Sequence, residues 1–435
     1  MRSKSLILLV LSVAAALSGC ASSHKKNAEN IVVWHWMSDR EGAFLELAAR
    51  YEEATGIPVK FDLYAPSEVY SQRVKAAAQT NTLPDIFGVL GEKRDFASFI
   101  KSGYVAELGA ALGEGVPTST WRDELFARAL AVNEFTLGNE YGVSPGTYGI
   151  PLDITTIQMV YNKKLYAQAG LHPNTPPATW EEFLQHCRAL KDKGIPRFVS
   201  GFGEIWMLDA LASNFAMNLM GEEKVFATYR GEVPYTDPDW VKVLSLFKQM
   251  TDEQVFVEGA VTMVNKTAEQ TFANERAAYA FNGSWCVNVY KGMNPNLDYA
   301  AMLPPKVSQQ HPMKIWGGAG SSFMVNARST KKEEAIRFLK WLTAAPQQAF
   351  LAERTMNLPS NHASLGQITP ILAQFADDMD NSTHPNIYPV HEASSVTEAF
   401  DKGIQSILIG EKTPAQVAAD VQRVKDKENK KQAAS

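Results

Sequence analysis

Ile31-Val-Val-Trp-His-Trp36 reads as a strand, and the segments after it set the architecture. Ser38 and Asp39 offer an N-cap, with Glu41 three residues beyond Ser38 as the partner of a capping box. A helix is predicted over 42–55, with Phe44, Leu47, Ala48 and Tyr51 at helical spacing and Gly56 as its stop. A second strand over 57–63, a helix over 70–79 and a third strand in Leu83-Pro-Asp-Ile-Phe-Gly-Val-Leu90 follow. Strand and helix alternating in this order predict an α/β fold, a mostly parallel sheet with helices on its faces.

Further on, Tyr148-Gly-Ile-Pro-Leu152 interrupts the alternation beside a strand-like run over 155–161, as expected of a crossing between two lobes. Thr179, with Glu182 three residues on, starts a helix that runs to Gly194. Gly201-Phe-Gly-Glu-Ile-Trp206 is a glycine-rich loop carrying Glu204 and Trp206 into a helix over 207–220. More helices are predicted over 238–249, 268–274, 333–343, 346–353, 394–408 and 414–427. There is no internal repeat.

Two stretches have the character of a ligand wall. In Thr271-Phe-Ala-Asn-Glu-Arg-Ala-Ala-Tyr-Ala-Phe-Asn-Gly-Ser-Trp285 a polar segment leads to a buried strand over 277–281, and Asn282-Gly283 predicts a turn delivering Trp285. Open α/β sheets bind ligands at the carboxyl ends of their strands. In Lys314-Ile-Trp-Gly-Gly-Ala-Gly-Ser-Ser-Phe-Met-Val325, three glycines bring backbone close to whatever sits there, with Trp316 at the edge. This is not a phosphate fingerprint, because the Gly-x-Gly-x-x-Gly spacing and the Gly-Lys-Ser/Thr ending are both missing.

With 435 residues, 45% hydrophobic and 20% charged, the chain is large enough for two domains. A net charge of -5 and the lack of a basic cluster argue against nucleic acid; the tail Lys425-Asp-Lys-Glu-Asn-Lys-Lys431 alternates in sign. Arg2 and Lys4 precede an apolar run over 6–17 that is too short to span a bilayer comfortably, and Leu17-Ser-Gly-Cys20 sets small residues before a cysteine. This resembles a bacterial lipoprotein signal over 1–20, with Cys20 the lipidated residue and 21–30 a tether. The expected location is extracytoplasmic, anchored to the membrane by lipid. Of the 3 cysteines, Cys187 and Cys286 remain, without metal or redox spacing. No metal or cofactor is expected.

Over nearly its whole mature length the sequence resembles the extracellular solute-binding proteins of carbohydrate ABC transporters, the group of maltose-binding protein. The likeness is carried by 31–36 with the helix to Gly56, Leu83-Pro-Asp-Ile-Phe87, Tyr148-Gly-Ile-Pro151 and Tyr161-Asn-Lys-Lys-Leu-Tyr166. Thr179-Trp-Glu-Glu-Phe183, Phe281-Asn-Gly-Ser-Trp285 and Trp316-Gly-Gly318 complete it. The resemblance implies a two-lobe periplasmic-binding-protein fold closing about a hinge. The lobes are expected as 31–147 with 286–330, and 148–285 with 331–435; hinge segments are expected at 148–152, 281–284 and 329–333. The implied partners are a sugar or oligosaccharide and the permease subunits of an ABC importer, bound by a monomer.

A sugar offers C–H faces to aromatic rings and hydroxyls to fixed donors and acceptors. Expected ligand residues are therefore Trp36, Asp39 and Glu41 after the first strand, Glu92 and Lys93 after the third, and Tyr148 at the crossing. Glu204 with Trp206, Asn282 with Trp285, Trp316 with Gly317 and Gly318, and Arg354 complete the set. Asp39 and Glu41 serve equally well as helix caps, and a mixed charge run such as 92–95 is more often a solvated face than a site. His391 and Glu392 stand where the family contributes a last aromatic, which is absent here. Two rival readings are a non-sugar ligand, such as a glycerol phosphate ester or a polyamine, and a secreted glycosidase. Hydrolase motifs of the His-Glu-x-x-His and Gly-x-Ser-x-Gly kinds are absent.

Overall fold

The computed structural model describes residues 30–65, 67–90, 93–115, 119–377 and 379–434. Cys20 with its signal segment, tether residues 21–29 and Glu92 lie outside the described residues. Strands β1 (Ile31–His35), β2 (Val59–Leu63) and β3 (Ile86–Phe87) are parallel, with helices Glu41–Thr55 and Ser67–Thr80 between them. A small hairpin, β4 (Glu134–Phe135) with β5 (Gly146–Thr147), precedes the long strand β6 (Ile150–Asn162). Then come β7 (Phe198–Val199), β8 (Tyr279–Gly283), β9 (Tyr299–Met302), β10 (Ile315–Val325), β11 (Leu358–Pro359) and β12 (Ser382–Thr383).

One sheet runs β2-β1-β3-β10-β6-β8-β7. It is parallel at both ends, where β1 lies between β2 and β3 and β7 lies beside β8; it is antiparallel through the middle. The first half of β6 lies between β10 and β11, and its second half between β8 and β9. A single 13-residue strand therefore passes from one half of the molecule to the other, where a break at 148–152 followed by a separate strand was expected. The partner β10 makes the same passage, with register shifts between Ala319 and Ser322 opposite Asp153.

The core is divided accordingly. One cluster joins Ile31, Val33, Phe44, Leu47 and Phe61 to Ile150, Leu152 and Phe323. A second, larger one joins Met159, Phe183, Phe198, Phe215, Phe247, Tyr279 and Ile404. Each large side chain removed from water contributes about 1.5–3 kcal/mol, so each cluster holds its own half. Ala335, Phe338, Leu339 and Leu342 of the helix Lys332–Leu342, with Leu351, belong to the first cluster. This corrects the expected grouping of 331–435: the apolar face of that helix matches the open side of β1 and β2, and the chain crosses back to cover it.

Local signals were met unevenly. Thr179 Oγ1 accepts from the Glu182 amide at 3.3 Å and Glu182 Oε2 accepts from the Thr179 amide at 3.1 Å, the predicted capping box. Gly56 ends the first helix at φ 72. The box at Ser38 does not form, because a 3-10 turn over Ser38–Arg40 intervenes and Arg40 occupies the cap position. Cys187 and Cys286 are both buried free thiols.

Candidate functional site

Trp36 leaves the end of β1 and packs against Tyr70, ring centroids 5.0 Å apart. It lies over Gly88, where a Cβ would come within 2.4 Å of the indole, so only glycine lets β3 run on beneath the ring. Trp36, Lys93, Asn133, Ser321, Ser322 and His384 surround a cavity of about 270 Å³. Lys93 begins the helix Lys93–Lys101 and is buried; its Nζ donates to the carbonyls of Val132 at 2.5 Å and Glu134 at 2.8 Å. Burial pulls its ammonium down to about 8, opposed by the Glu134 charge. His384 is pulled down to about 4, first by burial and then by the charge of Lys93.

A second wall forms at the end of β8. Asn282 and Gly283 do not turn there as expected; they continue the strand, and Gly283 has no positive φ. Its glycine serves close approach instead, because a Cβ would lie 1.9 Å from the Trp285 ring, which folds back over it. Trp206 stands 6.2 Å from Trp285 and is 37% exposed. Beneath this pair Glu269 Oε1 accepts from Trp285 Nε1 at 3.1 Å, Asn282 Nδ2 at 3.1 Å and Asn265 Nδ2 at 3.0 Å. Burial still holds the Glu269 carboxyl above its ordinary range. Glu204 Oε1 accepts from the Asn265 amide at 2.8 Å, closing the network onto the glycine loop that carries Trp206.

The crossing strands join the two walls. Trp316 on β10 pairs with Ile157 on β6, which pairs with Gly283 on β8, so the three sit side by side. Trp316 Nε1 donates to Ser213 Oγ at 2.7 Å, and its ring is 6.0 Å from His384. Gly317 faces Ser382, and Gly318 faces Val132, with virtual Cβ distances of 2.7 and 2.9 Å. What the glycines admit is thus neighbouring chain. The segment around His384 is strapped across the cleft by His391, whose Nδ1 is 2.5 Å from Glu140 Oε1 and whose Nε2 is 2.7 Å from the Pro385 carbonyl.

Four expected residues stand elsewhere. Tyr148 does not line the cavity but is buried in the cluster behind it, with Phe96 and Met324, donating to the Ser144 carbonyl at 3.0 Å. Arg354 is on the outer face, 3.0 Å from Glu46. Glu41 lies 2.9 Å from the buried His35 Nε2, and Asp39 is exposed beside Arg40 at 3.6 Å. In each case a charged or hydroxyl group found a nearer protein partner. Sequence reasoning missed Asn133, His384 and Glu269. The spacing of Asn265 and Glu269 on one helix face was the available signal for the last; His384 lies in irregular chain that gave none.

Among the described residues no cluster of side chains could hold a metal ion, and no helix is long and apolar enough to cross a membrane. The site is therefore a pair of walls, one aromatic over a carboxylate and amide network, the other lined by amides, hydroxyls and one ammonium. A model of bacterial extracellular solute-binding proteins matches residues 46–379. The chain belongs to that family. This solute-binding protein is 23% identical over 284 residues to the multiple sugar-binding protein of Streptococcus mutans, covering 62% of this chain and 61% of that one. It is 22% identical over 433 residues to the alpha-glucosides-binding periplasmic protein of Rhizobium meliloti, covering 95% and 90%. Its fold matches that of a chitin oligosaccharide binding protein with TM-score 0.71 at 20% identity, covering 92% of this chain and 99% of that one. Membership places the protein outside the cytoplasm, and the two-lobe architecture is that of the family's solved structures.

Proposed function

We propose that this protein captures a sugar or oligosaccharide between its two halves, unaltered, and presents it to the permease of an ABC importer. The observation that carries the reading is the Trp206 and Trp285 pair above the Glu269, Asn282 and Asn265 network. Indole faces take the C–H surface of a pyranose, and a fixed set of amides and carboxylates takes its hydroxyls. The ligands named for the relatives from Streptococcus mutans and Rhizobium meliloti point the same way. A ligand touching both walls favours the state in which they approach, by its differential affinity for that state. The motion would run through the middle of β6 and β10, at the register shifts opposite Asp153, and the two lobes would be the two halves that these strands connect.

Anchoring through a lipid on Cys20 rests on the Leu17-Ser-Gly-Cys20 pattern. Metabolic labelling with a fatty acid, lost in Cys20→Ser, tests it. We read the protein as a monomer. The ligand is tested by a thermal-shift panel of mono- and oligosaccharides, since a ligand at 100 times its Kd adds about 2.7 kcal/mol to stability. Glycerol phosphate esters and polyamines belong in the same panel. Recovery of the sugar unchanged after incubation separates capture from hydrolysis; release of shortened products would make the protein a glycosidase.

A further inference from the structure

We infer that the sugar carries a carboxylate, and that the geometry assigns Lys93 as the residue that recognises it. This deepens the sugar reading and rests on it. Lys93 is only 6% exposed yet lines the cavity between Trp36 and His384. Two of its three N–H groups are spent on the Val132 and Glu134 carbonyls, and the ammonium lies 4.4 Å from the centroid of the Phe135 ring, so its charge is held in place at the cavity wall.

Among the described residues no carboxylate is ion-paired with Lys93; the Glu134 carboxylate is taken by Arg122 and also accepts from Thr147. Arg40, which donates to the cavity residue Ser321, is itself neutralised by Asp153. An ammonium taken out of water costs several kcal/mol unless an anion joins it, and a positioned anion would meet it in a low-dielectric site. Burial lowers Lys93 to about 8, so it still enters neutral solution mostly charged.

One ammonium matches one negative charge. A phosphate dianion calls for arginines or several backbone donors, and among the described residues lining the cavity there is no arginine. A sugar carboxylate fits, with the Ser322 hydroxyl, which accepts from Asn133 Nδ2 at 2.9 Å and keeps its own O–H to donate, beside it for a sugar hydroxyl.

The full chain is titrated calorimetrically with glucuronic and galacturonic acids and their disaccharides, with the matching neutral sugars, and with the sugar phosphates. An acid is expected to bind about tenfold or more tighter than its neutral counterpart. Lys93→Met is expected to abolish that preference and Lys93→Arg to retain part of it. Neutral sugars binding as tightly as the acids, sugar phosphates binding tightest, or a preference that survives Lys93→Met would each overturn the inference while leaving sugar capture standing. No binding by any carbohydrate would remove both. If Lys93→Met does not fold, the ranking with the unaltered protein decides alone.

Discussion

The Arg40 guanidinium donates to Asp153 Oδ2, tying the turn after β1 to the part of β6 where the two halves of the molecule meet. Asp153 also accepts from the Ser321 amide and hydroxyl, both at 2.6 Å, so the two crossing strands and the turn after β1 converge on one carboxylate. Removing one member of a buried pair strands the other charge, at about 3–5 kcal/mol. Asp153→Ala is expected to lose that much stability in urea unfolding followed by tryptophan fluorescence. A loss below about 1 kcal/mol would show that the pair is not a structural tie.

Trp206 and Trp316 should separate binding from stability. Trp206 is partly exposed and has the Trp285 ring as its aromatic neighbour, so Trp206→Ala is expected to weaken sugar binding about tenfold while stability changes by about 0.5 kcal/mol or less. Trp316 packs on the larger core and donates to Ser213; Trp316→Ala is expected to lose about 3 kcal/mol as well as affinity. Calorimetric binding and thermal unfolding of the two variants, measured side by side, check the contrast.

Gly283→Ala places a methyl against the Trp285 ring, and Gly88→Ala places one against Trp36. Both backbones are at negative φ, so the penalty is displacement of an indole and not backbone strain. Each variant is expected to fold, to shift its intrinsic fluorescence and to bind sugar at least about tenfold more weakly. Unchanged affinity in both would move the ligand away from these rings.

Asp401 is buried with an unpartnered oxygen, and burial, reinforced by the charge of Asp209, holds its carboxyl well above the ordinary 3.8. The folded state thus keeps a proton that the unfolded chain gives up above pH 3.8, and stability falls as pH rises from there toward the raised value. Asp401→Asn is expected to unfold later than the unaltered protein at pH 8 and to differ little near pH 4. Equal melting temperatures at pH 8 would count against the buried proton.

Much of this was legible in the chain because it was local. The alternation from Ile31 to Leu90, the box at Thr179 and the stop at Gly56 each depend on a few adjacent residues, and the indole after β1 follows from a strand ending in aromatics. What failed was non-local. Tyr148 and Glu41 are defined by Ser144 and His35, partners that no spacing rule singles out, and Arg354 by Glu46 on a helix from the other end of the chain. Gly283 was read as a turn because glycine has two uses, and only the Trp285 ring above it tells which applies. The return of the helix Lys332–Leu342 to the first core was hidden for the same reason.

That return also governs how the protein comes into being. Phe87 waits for Met324 as its strand neighbour, and Phe44 and Phe61 share their core with Phe338. A ribosome that has made only the first third of the chain has produced two parallel ladders with an unfinished edge and an uncovered oily face. Neither half is expected to be a free-standing fragment, and closure over so long a loop is slow. Until Phe323, Phe338 and Leu342 have been made, the core around Phe44 and Phe61 lacks the side chains that complete it.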